Sequence, residues 1–408
     1  MRLSASIKPW LLVIVLFQLL VLIACKGGGA IVHTPRTGQD EPRKLLVFLD
    51  GTSNNEESHT NISKLYNLVS LQENPQINAI YLRGVGNGAD VMGMAFGSGI
   101  SNEVIQAYTY LAKNYNQERG DEIYLFGFSR GAYAARMLAG FIHAAGMVDL
   151  KYVDPEEHKS LVKKMFHAHK GQKSLEERRA AVRSIRGDHK FSSDVNIEFM
   201  GLWDTVASLG LPDYDDDYYV PQTKYLDQLC NVKRASQALS LNDNRGSVFT
   251  PALLTHSVLI KDCQEIKLDE VVNEVWFFGA HSDVGGGYFN SHLNGVSLNW
   301  MIREITPYNI LPDKTSVYED RFGPTNDPRK GFFKLIYSDK SRKLVYFASR
   351  NGYRDNKLKI HQSVLDRLGQ RVKTNEITLL AFFGDCFVKN SKGGYSYLEG
   401  ASCFEVVE

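Results

Sequence analysis

Apolar and polar positions divide the chain into short, continuous hydrophobic runs separated by stretches of helical spacing. KLLVFL at Lys44–Leu49 is one such run, and Asp50, Gly51 and Thr52 follow it at once. An unbroken apolar run closed by turn formers predicts a strand buried on both faces. Ala79–Leu82, Glu122–Phe128, Val195–Trp203 and Val275–Ala280 predict strands in the same way. Between them, Ile105–Tyr115 and Gly131–Ala145 carry apolar residues at helical spacing. Strands alternating with helices predict an α/β fold with a mostly parallel sheet. Residues 155–190 are charged and helical in pattern, which predicts helices that cover the sheet or cap a site. Residues 330–350 predict a hairpin, and Ile360–Leu368 a helix.

The N-terminus departs from this pattern. Arg2 and Lys8 precede a stretch, Trp10–Ala24, in which Gln18 is the one polar residue, and Leu22-Ile23-Ala24-Cys25 closes it. Charge, a short apolar core and a small residue before cysteine are the parts of a bacterial lipoprotein signal ending at Cys25. An uncleaved membrane helix is the other reading, but the run is short for a span. Lys26 rather than aspartate follows the cysteine, which favours the outer membrane on its periplasmic side. Residues 26–42 (KGGGAIVHTPRTGQDEP) lack periodicity and read as a flexible tether. The body is then 43–408, outside the cytoplasm. Cys230, Cys263, Cys386 and Cys403 are free to form disulfides there, and three pairings are open.

Composition adds little. With 408 residues, 43% hydrophobic and 23% charged, the chain can build a large core. A net charge of +1 gives no electrostatic reason to expect nucleic acid as a partner.

The chemistry is carried by strand ends. Gly127-Phe128-Ser129-Arg130-Gly131 follows the apolar run Ile123–Phe126 and opens a helical stretch. That strand–turn–helix setting is what a nucleophile elbow requires, with Gly127 and Gly131 relieving crowding around Ser129. A serine nucleophile needs a base and the base an orienting acid. Asp204 ends one later strand and His281 another, in the chain order Ser, Asp, His of α/β-hydrolases. Asp283, two residues past the histidine, is the alternative acid, or it orders the Gly-rich loop. The N–H of Arg130 and the loop holding Gly51 and Thr52 are the candidates for an oxyanion hole. Taken singly, an Asp at a strand exit is more often a helix cap, and a His a satisfied core residue.

Four ordered motifs carry a resemblance: FLDGTSNN (48–55), LFGFSRGAYAAR (125–136), GLWDTVASLG (201–210) and WFFGAHSDVGGGY (276–288). Together they resemble the type VI secretion lipase effector-like (Tle-like) hydrolase family, over roughly residues 43 to 370. Arg245 in LSLNDNRGSVF and the stretch Ile360–Val364 are similar to the family too. The resemblance implies an esterase or phospholipase with Ser129, Asp204 and His281 as its triad and a lipid as its substrate. Two departures are informative. Gln237 stands where the family often has histidine, so that position is not expected to be catalytic. The lipobox implies a hydrolase held in its own cell's envelope, where the family's effectors are exported.

No motif asks for a cofactor. The acidic run Asp213–Tyr219 could offer oxygens to calcium, or be a solvated loop. His59 lies near the proposed oxyanion loop; His256, His292 and His361 read as structural or surface residues. The competing functions are a non-catalytic envelope binding protein on the same scaffold, and an esterase for a non-lipid acyl substrate.

Overall fold

The computed structural model describes residues 30–34, 41–84, 96–172, 174–206, 228–245, 249–255, 257–261, 263, 266–289, 292–329, 339, 341–342, 344, 357–370 and 378–408. The signal segment, the acidic run 213–219, His256 and most of the predicted hairpin lie outside these residues.

Alternation along Lys44–Leu49 sets the layering. Leu45, Val47 and Leu49 enter one apolar cluster and Leu46 and Phe48 a second, all of them fully buried. A strand buried on both faces needs a helical layer on each side, and both layers are present. The main sheet contains β1 (Ala30–His33), β2 (Lys44–Leu49), β3 (Ile77–Leu82), β4 (Glu122–Phe128), β5 (Phe199–Trp203), β6 (Ala235–Ser240), β7 (Val272–Phe277), β8 (Leu358–His361) and β9 (Phe404–Val407). Their spatial order is β1-β3-β2-β4-β5-β6-β7-β8-β9. Every pairing is parallel except that of β1 with β3. Helices α2 (Phe96–Asn114) and α3 (Arg130–Ala145) cover the face of Leu45 and Val47. Helices α1 (Asn61–Ser70) and α6 (Asn294–Ile305) cover the other.

Several expectations change here. Ala30–His33, read as part of a tether, is an edge strand whose backbone pairs with β3 in register, Ala30 opposite Leu82. Residues 155–190 do form helices, α4 (His158–Lys170) and α5 (Leu175–Arg186). They pack against the part of α3 remote from Ser129. Phe166 packs edge-on against Phe141, and Arg186 Nη1 donates to the Ala145 carbonyl at 2.9 Å. Both contacts lie towards the C-terminal end of α3. Ser129 lies at its N-terminal end, roughly 18 Å from Phe141 and roughly 24 Å from Ala145 along the helix at about 1.5 Å per residue. The segment Ile360–Leu368 divides into the end of β8 and a short helix, Gln362–Leu368.

Candidate active site

The candidate residues sit just past the C-terminal ends of three parallel strands, β4, β5 and β7, at one edge of the sheet. β4 runs straight into Ser129, whose φ of 58° and ψ of −122° make the sharp turn of an elbow. Such a backbone is strained for a residue with a side chain. Its surroundings hold it: the Ser129 N–H donates to the Trp203 carbonyl at 3.0 Å, and α3 begins at the next residue. The flanking glycines are sterically required. A Cβ on Gly127 would lie 2.5 Å from Ala132 Cα, and one on Gly131 would lie 2.2 Å from the Leu49 carbonyl oxygen.

Ser129, His281 and Asp204 form one hydrogen-bonded line. Ser129 Oγ is 2.8 Å from His281 Nε2, and His281 Nδ1 is 2.5 Å from Asp204 Oδ2. All three are buried, Ser129 with 8% of its surface exposed. Two rings fix the plane of the imidazole: Phe128 lies at 4.7 Å and Phe249 meets it edge-on at 5.0 Å. The His281 backbone N–H donates to Asp243 Oδ2 at 3.1 Å, and Asp243 in turn pairs with Arg245 at 2.7 Å.

The two candidate acids separate clearly. Asp283 does not reach His281. Its Oδ2 accepts the Ala280 N–H at 3.0 Å, and Asn326 donates to it from both backbone and side chain, at 3.1 and 2.7 Å. It orders the loop that carries the histidine.

The turn after β2 also changes from expectation. The Gly51 N–H is already used, donating to Asp50 Oδ1 at 2.7 Å, so it does not face a substrate oxygen. Thr52 Oγ1 is buried and has no partner among the described residues. Thr52 and the first N–H of α3, that of Arg130, therefore remain as oxyanion candidates. The turn and the elbow touch: the Cβ position of Gly131 lies 2.5 Å from the Asp50 carbonyl oxygen.

A family model for the T6SS phospholipase effector Tle1-like catalytic domain matches residues 43–304. The chain belongs to this family. An uncharacterized protein of Saccharomyces cerevisiae is 27% identical over 248 residues, covering 55% of this chain and 35% of its own. The chain thus spans about a third of the length of that relative. Among solved structures, it is similar to an uncharacterized protein from Pseudomonas aeruginosa, with 17% identity and a TM-score of 0.39 over 74% of this chain and 49% of that one. The Tle1 effector bound to the VgrG spike gives 20% identity and 0.32 over 62% and 52%. Esterase 2 of Thermogutta terrifontis gives 12% and 0.38 over 70% and 92%.

Charge in this Tle1-like site is set by burial and by one cation that the motifs did not reveal. Burial alone would raise Asp204, yet the Arg342 guanidinium and the His281 bond hold it well below the usual carboxylate range. Burial lowers His281 below its ordinary value, and Asp204 opposes that shift without cancelling it. A neutral imidazole and an ionised carboxylate result. Asp50, at the end of β2, is pushed up to about 6 by burial, against the bonds it accepts from Thr60, Tyr81 and Gly51. Arg342 has no neighbour in sequence that marks it; only its contact with Asp204, 138 positions away, does.

The remaining candidates sit apart from the line. His59 is exposed at the loop surface near Phe289. His361 caps the helix after β8 and stacks on Phe277 at 4.7 Å, and His292 is exposed beside Tyr318. Gln237 donates to Glu274 at 2.6 Å and accepts from Thr205, so it braces the turn that carries Asp204.

Proposed function

We propose that this chain is a serine hydrolase of carboxylic esters, with lipid or phospholipid acyl groups as its substrates. Its membership of a phospholipase effector catalytic family supports a hydrolase of lipase or esterase type. One observation carries the mechanism: the unbroken line from Ser129 Oγ through His281 to a buried Asp204. His281, neutral and held in one tautomer by Asp204, takes the proton from Ser129 as its oxygen attacks the acyl carbon. Asp204 stabilises the imidazolium that forms. The Arg130 N–H, at the start of α3, and Thr52, whose Oγ1 has no partner among the described residues, are the candidates to meet the developing oxyanion. The histidine then returns the proton to the leaving alcohol. In the second half, it activates water to release the acid from Ser129.

The test is hydrolysis of short-chain esters, long-chain esters and phospholipid vesicles by the purified body, beside Ser129→Ala. Loss of this nucleophile should lower kcat by at least about 10⁴-fold on every substrate cleaved. A variant that matches the wild type would remove Ser129 from the mechanism. A wild type inert on all three classes would leave a scaffold that binds without hydrolysis.

A further inference from the structure

We propose that Arg342 is a positioning residue of the Ser129–His281–Asp204 line: it clamps Asp204 and supplies the countercharge that lets a neutral histidine stand beside a buried carboxylate. The proposal rests on the hydrolase reading given above.

The contacts are those of a clamp. Arg342 Nη1 donates to Asp204 Oδ1 at 2.7 Å, and Nη2 donates to Oδ2 at 2.9 Å. The two side chains are 1% and 0% exposed. Nη1 also donates to the Ser240 carbonyl at 2.5 Å, and Nη2 to the Phe249 carbonyl at 2.8 Å. The guanidinium is thus fixed to β6 and to the loop whose Phe249 ring meets His281. Two parallel bonds set the carboxylate plane in a way that a point charge on a flexible stem does not. The Ser240 N–H adds a bond of 3.0 Å to Oδ1. Oδ2 meets His281 Nδ1 at 2.5 Å as well as Nη2.

The electrostatic consequence follows from net charge. Without Arg342, Asp204 and His281 form a buried pair carrying one uncompensated negative charge. Such a pair takes up a proton readily, and whether aspartate or histidine holds it, the base is lost. Arg342 removes that tendency. Asp243 and Arg245 also face the histidine, but they pair with each other and largely cancel. Arg342 is therefore the cation that balances Asp204.

Its position in the chain adds a second point. The family match ends at residue 304, yet Arg342 holds Asp204 and Asn326 holds Asp283. The residues after the matched domain complete the site, rather than only extending the sheet with β8 and β9.

Arg342→Met and Arg342→Lys test this. In the methionine variant the acid limb of kcat/KM should move to higher pH by about one unit or more. Its kcat should fall at least about 10²-fold, with KM within about threefold. In the lysine variant the charge remains, so the limb should stay in place while kcat falls less. Protonation of the Asp204–His281 pair, followed by NMR of the imidazole, should show the same displacement. That reading does not depend on turnover, so it separates failure of this proposal from failure of the hydrolase reading. A limb and an imidazole titration unmoved in folded Arg342→Met would overturn the proposal. So would a kcat within threefold of the wild type. If the methionine variant does not fold, Arg342→Gln, which removes the charge but keeps a donor, takes its place with the same expectations.

Discussion

Two buried aspartates lie at this edge of the sheet, and their surroundings push them in opposite directions. Asp204 meets a guanidinium and an imidazole; Asp50 meets only neutral donors, Thr60 Oγ1 at 2.6 Å, Tyr81 OH at 2.5 Å and the Gly51 N–H. Neutral donors do not repay the loss of water around a charge, so Asp50 is pushed from 3.8 up to about 6. The folded state therefore holds this proton more tightly than the unfolded chain. Stability from this group is fully present below about pH 4 and is lost as pH rises to about 6, by about 3 kcal/mol. Chemical denaturation of the wild type and Asp50→Asn across that range should show the wild type losing ground to the variant as pH rises. A constant difference would remove the assignment. Ser129, Asp204 and His281 were legible because each follows an apolar run directly, where a parallel sheet places its ligands. Arg342 was not, because it stands in the polar middle of the hairpin predicted over 330–350, where no motif marks it, and its partner is remote in sequence. Nor could sequence tell that the Gly51 N–H turns back on Asp50.

At the scale of elements, the site depends on loops that meet backbone to backbone. The turn after β2 touches α3 at Gly131, and Gly84 after β3 presses on the same turn, its Cβ position 1.8 Å from the Gly51 carbonyl oxygen. The loop carrying His281 docks through Gly286 on Thr60 and through Asn61 Nδ2 on the Val284 carbonyl, at 2.8 Å. Gly131→Ala should therefore cost more than an ordinary cavity or crowding change. The clashing atoms are main-chain oxygens of Leu49 and Asp50, which no rotamer change can move. We expect a loss of about 3 kcal/mol or more, or no soluble protein, read by thermal unfolding. An alanine variant with an unchanged midpoint would show that the elbow can open. The strands legible from sequence were those with a mainly apolar run. β6, ASQALS, was not, because Ser236, Gln237 and Ser240 are buried yet satisfied internally, by Glu304, Glu274 and the Gly279 carbonyl. Polar side chains that find partners inside the protein erase the apolar signal without costing burial. β1 and β9 escaped notice as four-residue edge strands.

For the whole molecule, the cysteines connect the fold to its location. Of five cysteines, four are paired, Cys230 with Cys263 and Cys386 with Cys403. Sequence left three pairings open; the fold selects this one by bringing the loop before β6 to the segment before β7, and the turn Gly384–Cys386 to the residue before β9. The fifth, Cys25, is the one that the signal motif assigns to lipidation, so a complete export route would leave no free thiol. We propose that the body works outside the cytoplasm, tethered by a lipid on Cys25 and facing the periplasm. Disulfides persist in such compartments and are rare in the cytosol. The pairs close loops with sequence separations of 33 and 17 residues, and constraining the unfolded chain to that extent contributes roughly 3–4 kcal/mol for each. Protein recovered from the envelope should therefore contain no titratable thiol, and reduction should lower its thermal midpoint by several degrees. The Cys25→Ala protein should leave the membrane fraction while keeping both cross-links. Four free thiols in wild-type protein from the envelope, or a wild type found wholly in the soluble fraction, would each sink this placement. The two results fail independently, because the anchor depends on the first 25 residues and the cross-links on the folded body.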